Sequence, residues 1–273
     1  VAFTNESEKL FPNADVIMVN NDHNEFEKPG LSLNLKVLLD VKVVLEQMLK
    51  RINKTKIKQF TSWIDYCLTL KKDYPIVSPH LEGNPINSYY FVECLNRVSK
   101  ENHIFINDAG SANYICSQAL KLKSGQRELT SGAFYSMGIA LPLAIGASVT
   151  EDTAQVIAIT GDGSIELNIQ ELRTLSQNNL DVKLFIINNG GYASIRKSQD
   201  EIVGGGRYTD DEEVLNFKNI AKAFELEFEL IDNYETLELD LEKILSKRGP
   251  VLIEVVCDFK QEIIEPFNLY YPI

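Results

Sequence analysis

Residues 155–164, Gln-Val-Ile-Ala-Ile-Thr-Gly-Asp-Gly-Ser, decide the fold of this chain. An apolar run typical of a β-strand leads here directly into a glycine-rich turn at 161–164. Helix-type spacing follows at 171–175, and a second strand-type run, 182–187, leads into Asn-Asn-Gly-Gly at 188–191. The order strand, turn, helix, strand predicts two neighbouring parallel strands whose polar turns lie at the same edge of a sheet.

The two polar turns carry groups suited to a metal ion and a phosphate. Gly163 lets an anion approach the backbone closely, and the helix that follows offers free N–H groups. Asp162 supplies a carboxylate oxygen, Asn189 an amide oxygen and Gly191 a backbone carbonyl. Such oxygens, with phosphate oxygens and water, suit octahedral Mg²⁺, so we predict these three residues as metal ligands. A Gly-Asp-Gly turn alone more often belongs to a plain βαβ unit, and it is the coupled spacing of the two turns that favours a site.

Strand and helix patterns alternate from residue 87 to residue 257, which predicts an α/β fold with a doubly wound parallel sheet. Apolar residues make up 44% of the 273 residues, enough for a sizeable core. The net charge of −12 and the pI near 4.8 argue against nucleic acid or an anionic membrane as a partner. No apolar run reaches the length of a transmembrane segment.

The cysteines and histidines form no motif. The histidines are far apart in sequence, so we predict no catalytic triad and expect each of them, including His103, on the surface or in a loop. The cysteines show no Cys-x-x-Cys spacing, which predicts core thiols of a cytoplasmic protein and neither a disulfide framework nor a zinc site. These cysteines are Cys67, Cys94, Cys116 and Cys257.

Gly-Asp-Gly at 161–163, followed by Asn-Asn at 188–189, resembles the signature of enzymes that use thiamine diphosphate (ThDP, also called thiamine pyrophosphate). Residues 130–142, Thr-Ser-Gly-Ala-Phe-Tyr-Ser-Met-Gly-Ile-Ala-Leu-Pro, extend the resemblance to the acetohydroxyacid synthase (acetolactate synthase) group. The resemblance implies ThDP and Mg²⁺ as cofactors. It also implies that the predicted parallel sheet is the diphosphate-binding domain of these enzymes.

The resemblance assigns roles to individual residues. Met137 would wedge under the thiazolium ring and bend the cofactor, whereas the sequence alone would make it a core side chain. The backbone carbonyl of Tyr135 would accept a hydrogen bond from the 4′-amino group of the cofactor. These two residues are the implied catalytic residues. The implied cofactor-binding residues are Ala109, Gly110, Ser111, Ala112, Tyr135, Met137, Gly161, Gly163, Ser164 and Tyr192.

Three features of this assignment stay open at the level of sequence. Asp108 is as well explained as a helix cap as by a contact with the cofactor. Tyr192 is equally explained by packing and by proximity to the phosphates. Many synthases carry the larger Gln and His side chains where this chain has Ser111 and Ala112, which leaves the substrate open.

We predict three parts of the chain: residues 1–52 as the end of a middle domain, 53–82 as a connector and 83–273 as the ThDP diphosphate-binding domain. In the family the middle domain holds FAD in some members and no flavin in others, so FAD stays open for the full-length protein. The family also takes a carboxylate from an N-terminal pyrimidine-binding domain across a subunit interface. We therefore expect that upstream domain as a partner, a homodimer or homotetramer, and a chain that is the C-terminal portion of a synthase.

The implied reaction is decarboxylation of a 2-oxoacid such as pyruvate, followed by addition of the resulting carbanion to an acceptor. The cofactor carries this chemistry, and the protein supplies position and electrostatics. Two alternatives remain: a simple ThDP-dependent 2-oxoacid decarboxylase, and a non-catalytic module that keeps the fold for ThDP binding or subunit interaction.

Overall fold

The computed structural model describes residues 13–30, 32–52, 60–77, 81–132, 134–150, 155–204, 214–261 and 263–264. The chain divides into two compact units, Val1–Asp73 and Tyr74–Ile273. This division falls within the stretch 53–82 that the sequence predicts as a connector. The three-part organisation with boundaries at residues 52 and 82 stays a prediction.

The first unit contains a parallel pair of strands, β1 (Ile17–Asn20) and β2 (Leu35–Leu38). Two helices follow, α1 (Val41–Ile52) and α2 (Thr61–Asp73). Between the strands lies a 3-10 helix, His23–Glu27. Neither α1 nor α2 has a buried residue, because two strands offer too little sheet to cover two amphipathic helices.

The second unit is built on a six-stranded sheet. Its strands are β3 (Ile104–Asn107), β4 (Arg127–Leu129), β5 (Val156–Gly161), β6 (Val182–Asn188), β7 (Glu227–Ile231) and β8 (Val251–Val256). Their order across the sheet is β4-β3-β5-β6-β8-β7, and every neighbouring pair is parallel. Its helices are α3 (Ser88–Val98), α4 (Gly110–Ala119), α5 (Ala140–Thr150), α6 (Asp162–Ile165), α7 (Leu172–Gln177), α8 (Ala193–Val203), α9 (Phe217–Ala223) and α10 (Leu237–Ser246). A 3-10 helix, Glu166–Glu171, joins α6 to α7.

Alternate residues of the strands feed two separate cores. On one face of the sheet, Phe105 and Phe185 pack with α3, α4 and α10. On the other face, Ile106 and Leu184 pack with α5, α7 and α9. Helices on both faces of an all-parallel sheet form a doubly wound α/β fold, so the predicted fold class is confirmed.

The direction of the chain across the sheet reverses between β3 and β5. From β3 the chain moves outward to β4 at the edge, and from β5 it moves the other way to β6. The helices after these strands, α4 and α7, pack on opposite faces. In open α/β sheets the carboxyl ends of the strands form a ligand-binding crevice at such a reversal. The fold therefore brings the turns after β3, β5 and β6 to one place.

His103 is more enclosed than the sequence indicated. It lies in the loop before β3, as one of the two expectations had it, but the residue is only 3% exposed. The backbone N–H of Lys100 donates to its Nδ1 at 3.2 Å. Burial lowers the pKa of His103 to about 4, and the positive charges of Lys100 and Lys123 act in the same direction. The imidazole is therefore a neutral, buried acceptor near pH 7.

The cysteines match the prediction with one exception. All four are free thiols, and Cys94, Cys116 and Cys257 are buried. Cys67 is exposed, so its prediction as a core thiol is wrong; it lies on α2, a helix without buried residues.

In the described part of the chain, no helix combines the length and the apolar character needed to cross a membrane.

Candidate functional site

A cavity of about 400 Å³ lies at the carboxyl ends of β3, β5 and β6. Every residue predicted to hold the cofactor or the metal lines it. These residues are Ala109, Gly110, Ser111, Ala112, Tyr135, Met137, Gly161, Asp162, Gly163, Ser164, Asn189, Gly191 and Tyr192. The structure thus brings together segments more than 80 residues apart, because β3, β5 and β6 are neighbours in the sheet.

The carboxylate of Asp162 joins the two polar turns. The residue is 3% exposed, and its Oδ1 accepts a hydrogen bond from the N–H of Gly163 at 2.8 Å. Its Oδ2 accepts from the N–H groups of Asn189, at 3.1 Å, and Gly191, at 2.8 Å. Burial raises the pKa of Asp162, and these backbone donors oppose the rise. These backbone donors hold the carboxylate between the two turns.

The two asparagines of the second turn have different surroundings. Asn188 donates from Nδ2 to Glu254 Oε1 at 2.6 Å, and its Oδ1 accepts from the N–H of Gly190 at 3.3 Å. Asn189, in contrast, lines the cavity. The Gly191 carbonyl accepts from a backbone N–H at 2.9 Å and has a second lone pair available.

Asp162, Asn189 and Gly191, which carry a carboxylate, an amide and a carbonyl oxygen, line the same cavity. Such hard oxygen donors fit Mg²⁺, which usually keeps one or two carboxylates and fills its octahedron with phosphate oxygens and water. No group of three or more His, Cys, Asp or Glu suited to a metal occurs among the described residues. A cation at this place would therefore depend on amide and carbonyl oxygens as well as on Asp162.

Arg196 stabilises the second polar turn through hydrogen bonds to its backbone. This residue is 4% exposed, and its guanidinium donates to the carbonyls of Gly190, at 2.6 Å, and Asn189, at 3.2 Å. It also lies 4.3 Å from the ring centroid of Phe259. A Cβ at Gly190 would come within 2.7 Å of the same ring, and φ there is +73°. The sequence analysis missed Arg196. Its only signal in the sequence is a positively charged residue in the first turn of the helix that follows the Asn-Asn turn.

Tyr192 packs directly on Gly163. A Cβ at Gly163 would lie 2.5 Å from Cε1 of the Tyr192 ring, closer than real side chains approach. Glycine is thus required at this position to make room for the ring. Of the two roles left open for Tyr192, the structure shows packing. The ring also lines the cavity, so its contact with a cofactor remains a prediction.

Two helices begin at the cavity and bring a pair of serines together. Helix α4 starts at Gly110 and α8 at Ala193, and the hydroxyls of Ser111 and Ser194 lie 3.1 Å apart. The first N–H groups of a helix favour anions. Lining residues that the sequence analysis missed are Tyr114, Ile187, Ala193, Ser194, Ile195, Ser198 and Gln199. Residues 194, 195, 198 and 199 lie on one face of α8. Because α8 follows the Asn-Asn turn closely, this helical spacing is a sequence signal that could have identified them.

Met137 lies half-buried in the cavity wall and is not enclosed in a core. Nearby, Tyr135 has φ +45°, an uncommon conformation for a residue other than glycine, and is 49% exposed. Gly138 has φ +77°, and a Cβ there would come within 2.9 Å of Leu167 Cβ and of the Ser164 carbonyl. The loop that carries Met137 is therefore packed tightly against the segment that follows the Gly-Asp-Gly turn.

Asp108 acts as a cap for α5. Its Oδ1 accepts from the N–H of Gly138 at 2.8 Å, and its Oδ2 accepts from the N–H of Ala140 at 3.1 Å. The Thr160 hydroxyl donates to the same Oδ2 at 3.0 Å. The residue is fully buried; burial raises the pKa of Asp108, and the hydrogen bonds oppose this rise. Of the two roles that the sequence left open, the structure shows the cap, on a helix that begins some 30 residues later.

Comparison with known proteins identifies the family of this chain. A family model described as "Thiamine pyrophosphate enzyme, C-terminal TPP binding domain" matches residues 108–255, more than half of the chain. The chain is 29% identical over 259 residues to acetolactate synthase isozyme 1 large subunit of Escherichia coli (strain K12). It is 30% identical over 262 residues to the acetolactate synthase large subunit of Cyanidium caldarium, and 27% over 257 residues to that of Lactococcus lactis subsp. lactis (strain IL1403).

These alignments cover 94%, 93% and 94% of this chain, but only 45%, 44% and 44% of the three relatives. The chain thus spans less than half the length of the curated relatives it matches. The region matched by the family model begins at Asp108 and includes the Met137 loop and both polar turns. The chain therefore belongs to the thiamine pyrophosphate enzymes, whose C-terminal cofactor-binding domain it contains, and it resembles the C-terminal part of acetolactate synthase large subunits.

Proposed function

We propose that this chain binds ThDP with Mg²⁺ as part of an acetolactate-synthase-like enzyme that decarboxylates a 2-oxoacid and joins the product to an acceptor. One observation carries the proposal: all the predicted residues line one cavity, with Asp162 fixed beside Asn189 and Gly191. When bound, ThDP supplies the electron sink for decarboxylation and for carbon–carbon bond formation. The residues of this chain would bind the cofactor and orient it.

The diphosphate end would lie at the three turns. Asp162, Asn189 and Gly191 would hold Mg²⁺, and the first N–H groups of α4 and α8 would face the phosphate oxygens. The hydroxyls of Ser111 and Ser164 would add neutral donors. This arrangement needs no lysine at the phosphates, because the metal and the backbone N–H groups supply the positive potential.

The loop before α5 would serve the middle of the cofactor. Met137 would support it from the cavity wall, and the Tyr135 carbonyl would accept from its amino group. The positive φ of Tyr135 supports this assignment, because non-glycine residues in such conformations often cluster at active sites. The small Ser111 and Ala112, which depart from many synthases, keep a simple 2-oxoacid decarboxylase as a second candidate.

The far end of the cofactor would need a partner. Asp162 is the only carboxylic acid among the described residues that line the cavity, and its oxygens are directed at the two turns. We infer that an upstream pyrimidine-binding domain supplies the second carboxylate, in a homodimer or homotetramer, and that any FAD would belong to the middle domain. The four free thiols support a cytoplasmic location.

Calorimetric titration of the full-length protein with ThDP, with and without Mg²⁺, tests the cofactor assignment. We expect binding that requires Mg²⁺, and no binding under either condition would contradict the proposal in favour of a non-catalytic subunit-interaction module. Product analysis of the full-length protein with pyruvate then separates the two enzymes. Acetolactate indicates a carboligase, and free aldehyde indicates a decarboxylase.

A further inference from the structure

We propose that Asp108 and Asn168 are positioning residues that hold the backbone of Gly138 from both sides and thereby fix Met137 in the cavity. The inference rests on the proposed ThDP site and adds to it two residues that are not among those lining the cavity. It assigns them a larger effect on the middle of the cofactor than on its diphosphate end.

Gly138, the residue directly after Met137, is hydrogen-bonded by a side chain on each side. Its N–H donates to Asp108 Oδ1 at 2.8 Å, and its carbonyl accepts from Asn168 Nδ2 at 2.9 Å. Asp108 follows β3, whereas Asn168 lies in the 3-10 helix Glu166–Glu171. Two segments some 60 residues apart in sequence therefore fix both polar groups of one glycine.

Gly138 has no room to move towards the 3-10 helix. A Cβ at this position would lie 2.9 Å from both Leu167 Cβ and the Ser164 carbonyl. The backbone also has φ +77°, which residues other than glycine rarely adopt. Packing on one side and hydrogen bonds to both polar groups of Gly138 restrict the backbone next to Met137.

The conformation of Asn168 supports its assignment. Its φ of −136° and ψ of 26° interrupt an otherwise helical segment. An asparagine in a helix interior usually competes for backbone hydrogen bonds of its own segment. Here its amide instead reaches the carbonyl of Gly138, so the interruption of the helix coincides with the contact to the Met137 loop.

Asp108 connects the same loop to the metal turn. Its Oδ2 accepts from the hydroxyl of Thr160, the residue before the Gly-Asp-Gly turn, and from the N–H of Ala140. Because Asp108 is fully buried, its loss would leave these donors unpaired. The position of Met137 is thereby tied to the strand end that carries Asp162.

The test compares two ligands on Asp108→Asn and Asn168→Ala. ThDP with Mg²⁺ uses the whole cavity, whereas inorganic pyrophosphate with Mg²⁺ uses only the turns. We expect both variants to weaken ThDP binding at least tenfold. Asn168→Ala should leave pyrophosphate binding within about twofold, and Asp108→Asn, which also disturbs Thr160 before the metal turn, should weaken pyrophosphate binding clearly less than ThDP binding. Asp181→Asn is the matched control, because it changes a partly exposed carboxylate that pairs with the buried Lys183 before the start of β6, at the end of that strand away from the cavity.

Methionine-methyl NMR gives a readout that does not depend on the ligand. The chain has three methionines: Met18 and Met48 in the first unit and Met137 in the cavity. In the free variants, we expect the Met137 methyl resonance to move towards its random-coil position, while the other two stay in place. Asp181→Asn should leave all three unchanged.

The outcomes separate the inference from the proposed function. If the wild type binds no ThDP, the proposed function fails. If the wild type binds ThDP, but the variants bind it equally well and keep the Met137 resonance, the positioning role alone is overturned. Equal loss of ThDP and pyrophosphate would also overturn it, because the two residues would then act on the whole site. Should Asp108→Asn not fold, Asn168→Ala decides, since the side chain of Asn168 is partly exposed.

Discussion

The Asp162 carboxylate accepts a hydrogen bond from the N–H of Gly191 at 2.8 Å, across 29 residues of sequence. The parallel register of β5 and β6, which pairs Gly161 with Ile187, brings the two turns to the same level. The carboxylate is therefore oriented by backbone donors. Such preorganisation would lower the cost of ordering the ligands of the proposed metal.

We predict that Asp162→Ala abolishes Mg²⁺-dependent ThDP binding. The substitution removes the one carboxylate of the predicted metal site, while both hydrophobic cores stay intact. Three backbone N–H groups lose their acceptor, so some loss of stability is expected, at about 1–3 kcal/mol for each donor left buried. Calorimetry measures the affinity, and circular dichroism verifies the fold. Unchanged ThDP affinity in a natively folded variant would refute the metal assignment.

Gly163→Ala is expected to displace the Tyr192 ring. The new Cβ would lie 2.5 Å from the ring, so either the ring or the turn must move. ThDP affinity should fall at least tenfold. The double variant Gly163→Ala/Tyr192→Ala removes the clash and should recover part of that affinity. If the double variant binds no better than Gly163→Ala, then it is the methyl group at the turn, and not the ring, that excludes the ligand.

Substitutions of Met137 distinguish a wedge from a core residue. As a wedge, its bulk matters, so in the full-length protein Met137→Leu should keep most activity and Met137→Ala should lose it. Because Met137 is half-buried in a cavity wall, Met137→Ala should cost less than the roughly 2–5 kcal/mol typical of an enclosed core methionine. Denaturant unfolding beside a rate assay tests both points. A stability loss in the core range that accounts for the activity loss would favour the core interpretation.

The pH dependence of stability should contain a contribution from His103. Its pKa is lowered from 6.5 to about 4 in the fold, so the native state binds this proton less readily than the unfolded state. The contribution is fully present above pH 6.5 and is lost as the pH falls towards 4, with a size of about 3 kcal/mol at most. His103→Gln keeps an acceptor but does not titrate. Urea unfolding at several pH values should therefore show a shallower dependence in this variant, and equal slopes would exclude His103 as the source.

The sequence predicted the elements whose signals are local. Strands β5 and β6 are largely apolar runs, so the strand positions expected from the sequence agree with the structure within one or two residues. Strand β4 was not predicted, because three residues at a sheet edge give no period. Helix α4 was also missed; it starts at a glycine and carries no side-chain cap, so the usual start signal is lacking.

The site residues likewise divide into those that the sequence predicted and those that it did not. The metal and phosphate residues follow strands directly, and their spacing with the Met137 loop resembles a known signature. Asp108, Asn168 and Arg196 act on residues elsewhere in the fold, through backbone groups whose positions depend on how the elements pack. A buried carboxylate that caps a helix 30 residues away has no sequence period to reveal it. Such contacts need the three-dimensional fold.

The last prediction concerns the chain by itself. The described lining of the cavity offers groups that could bind a phosphate and a metal ion. It offers no second carboxylate for the far end of a bent cofactor. Glu166 is exposed, and Glu171 accepts from the Thr174 hydroxyl at 3.0 Å, so neither is directed into the cavity. A general acid or base must lie within about 3 Å of the proton it moves, directly or through one water.

Residues 1–273 should therefore fold, bind ThDP weakly and fail to turn over pyruvate. Binding is expected to be weak because the proposed pyrimidine-binding domain would cover the rest of the cofactor. Adding that domain as a separate polypeptide should restore some decarboxylation, provided that the two pieces associate. Carbon dioxide release measures turnover, and mass spectrometry excludes contaminating full-length enzyme. Robust turnover by the purified chain alone would mean that these residues contain a complete active site, with an acid or base outside the cavity lining described above.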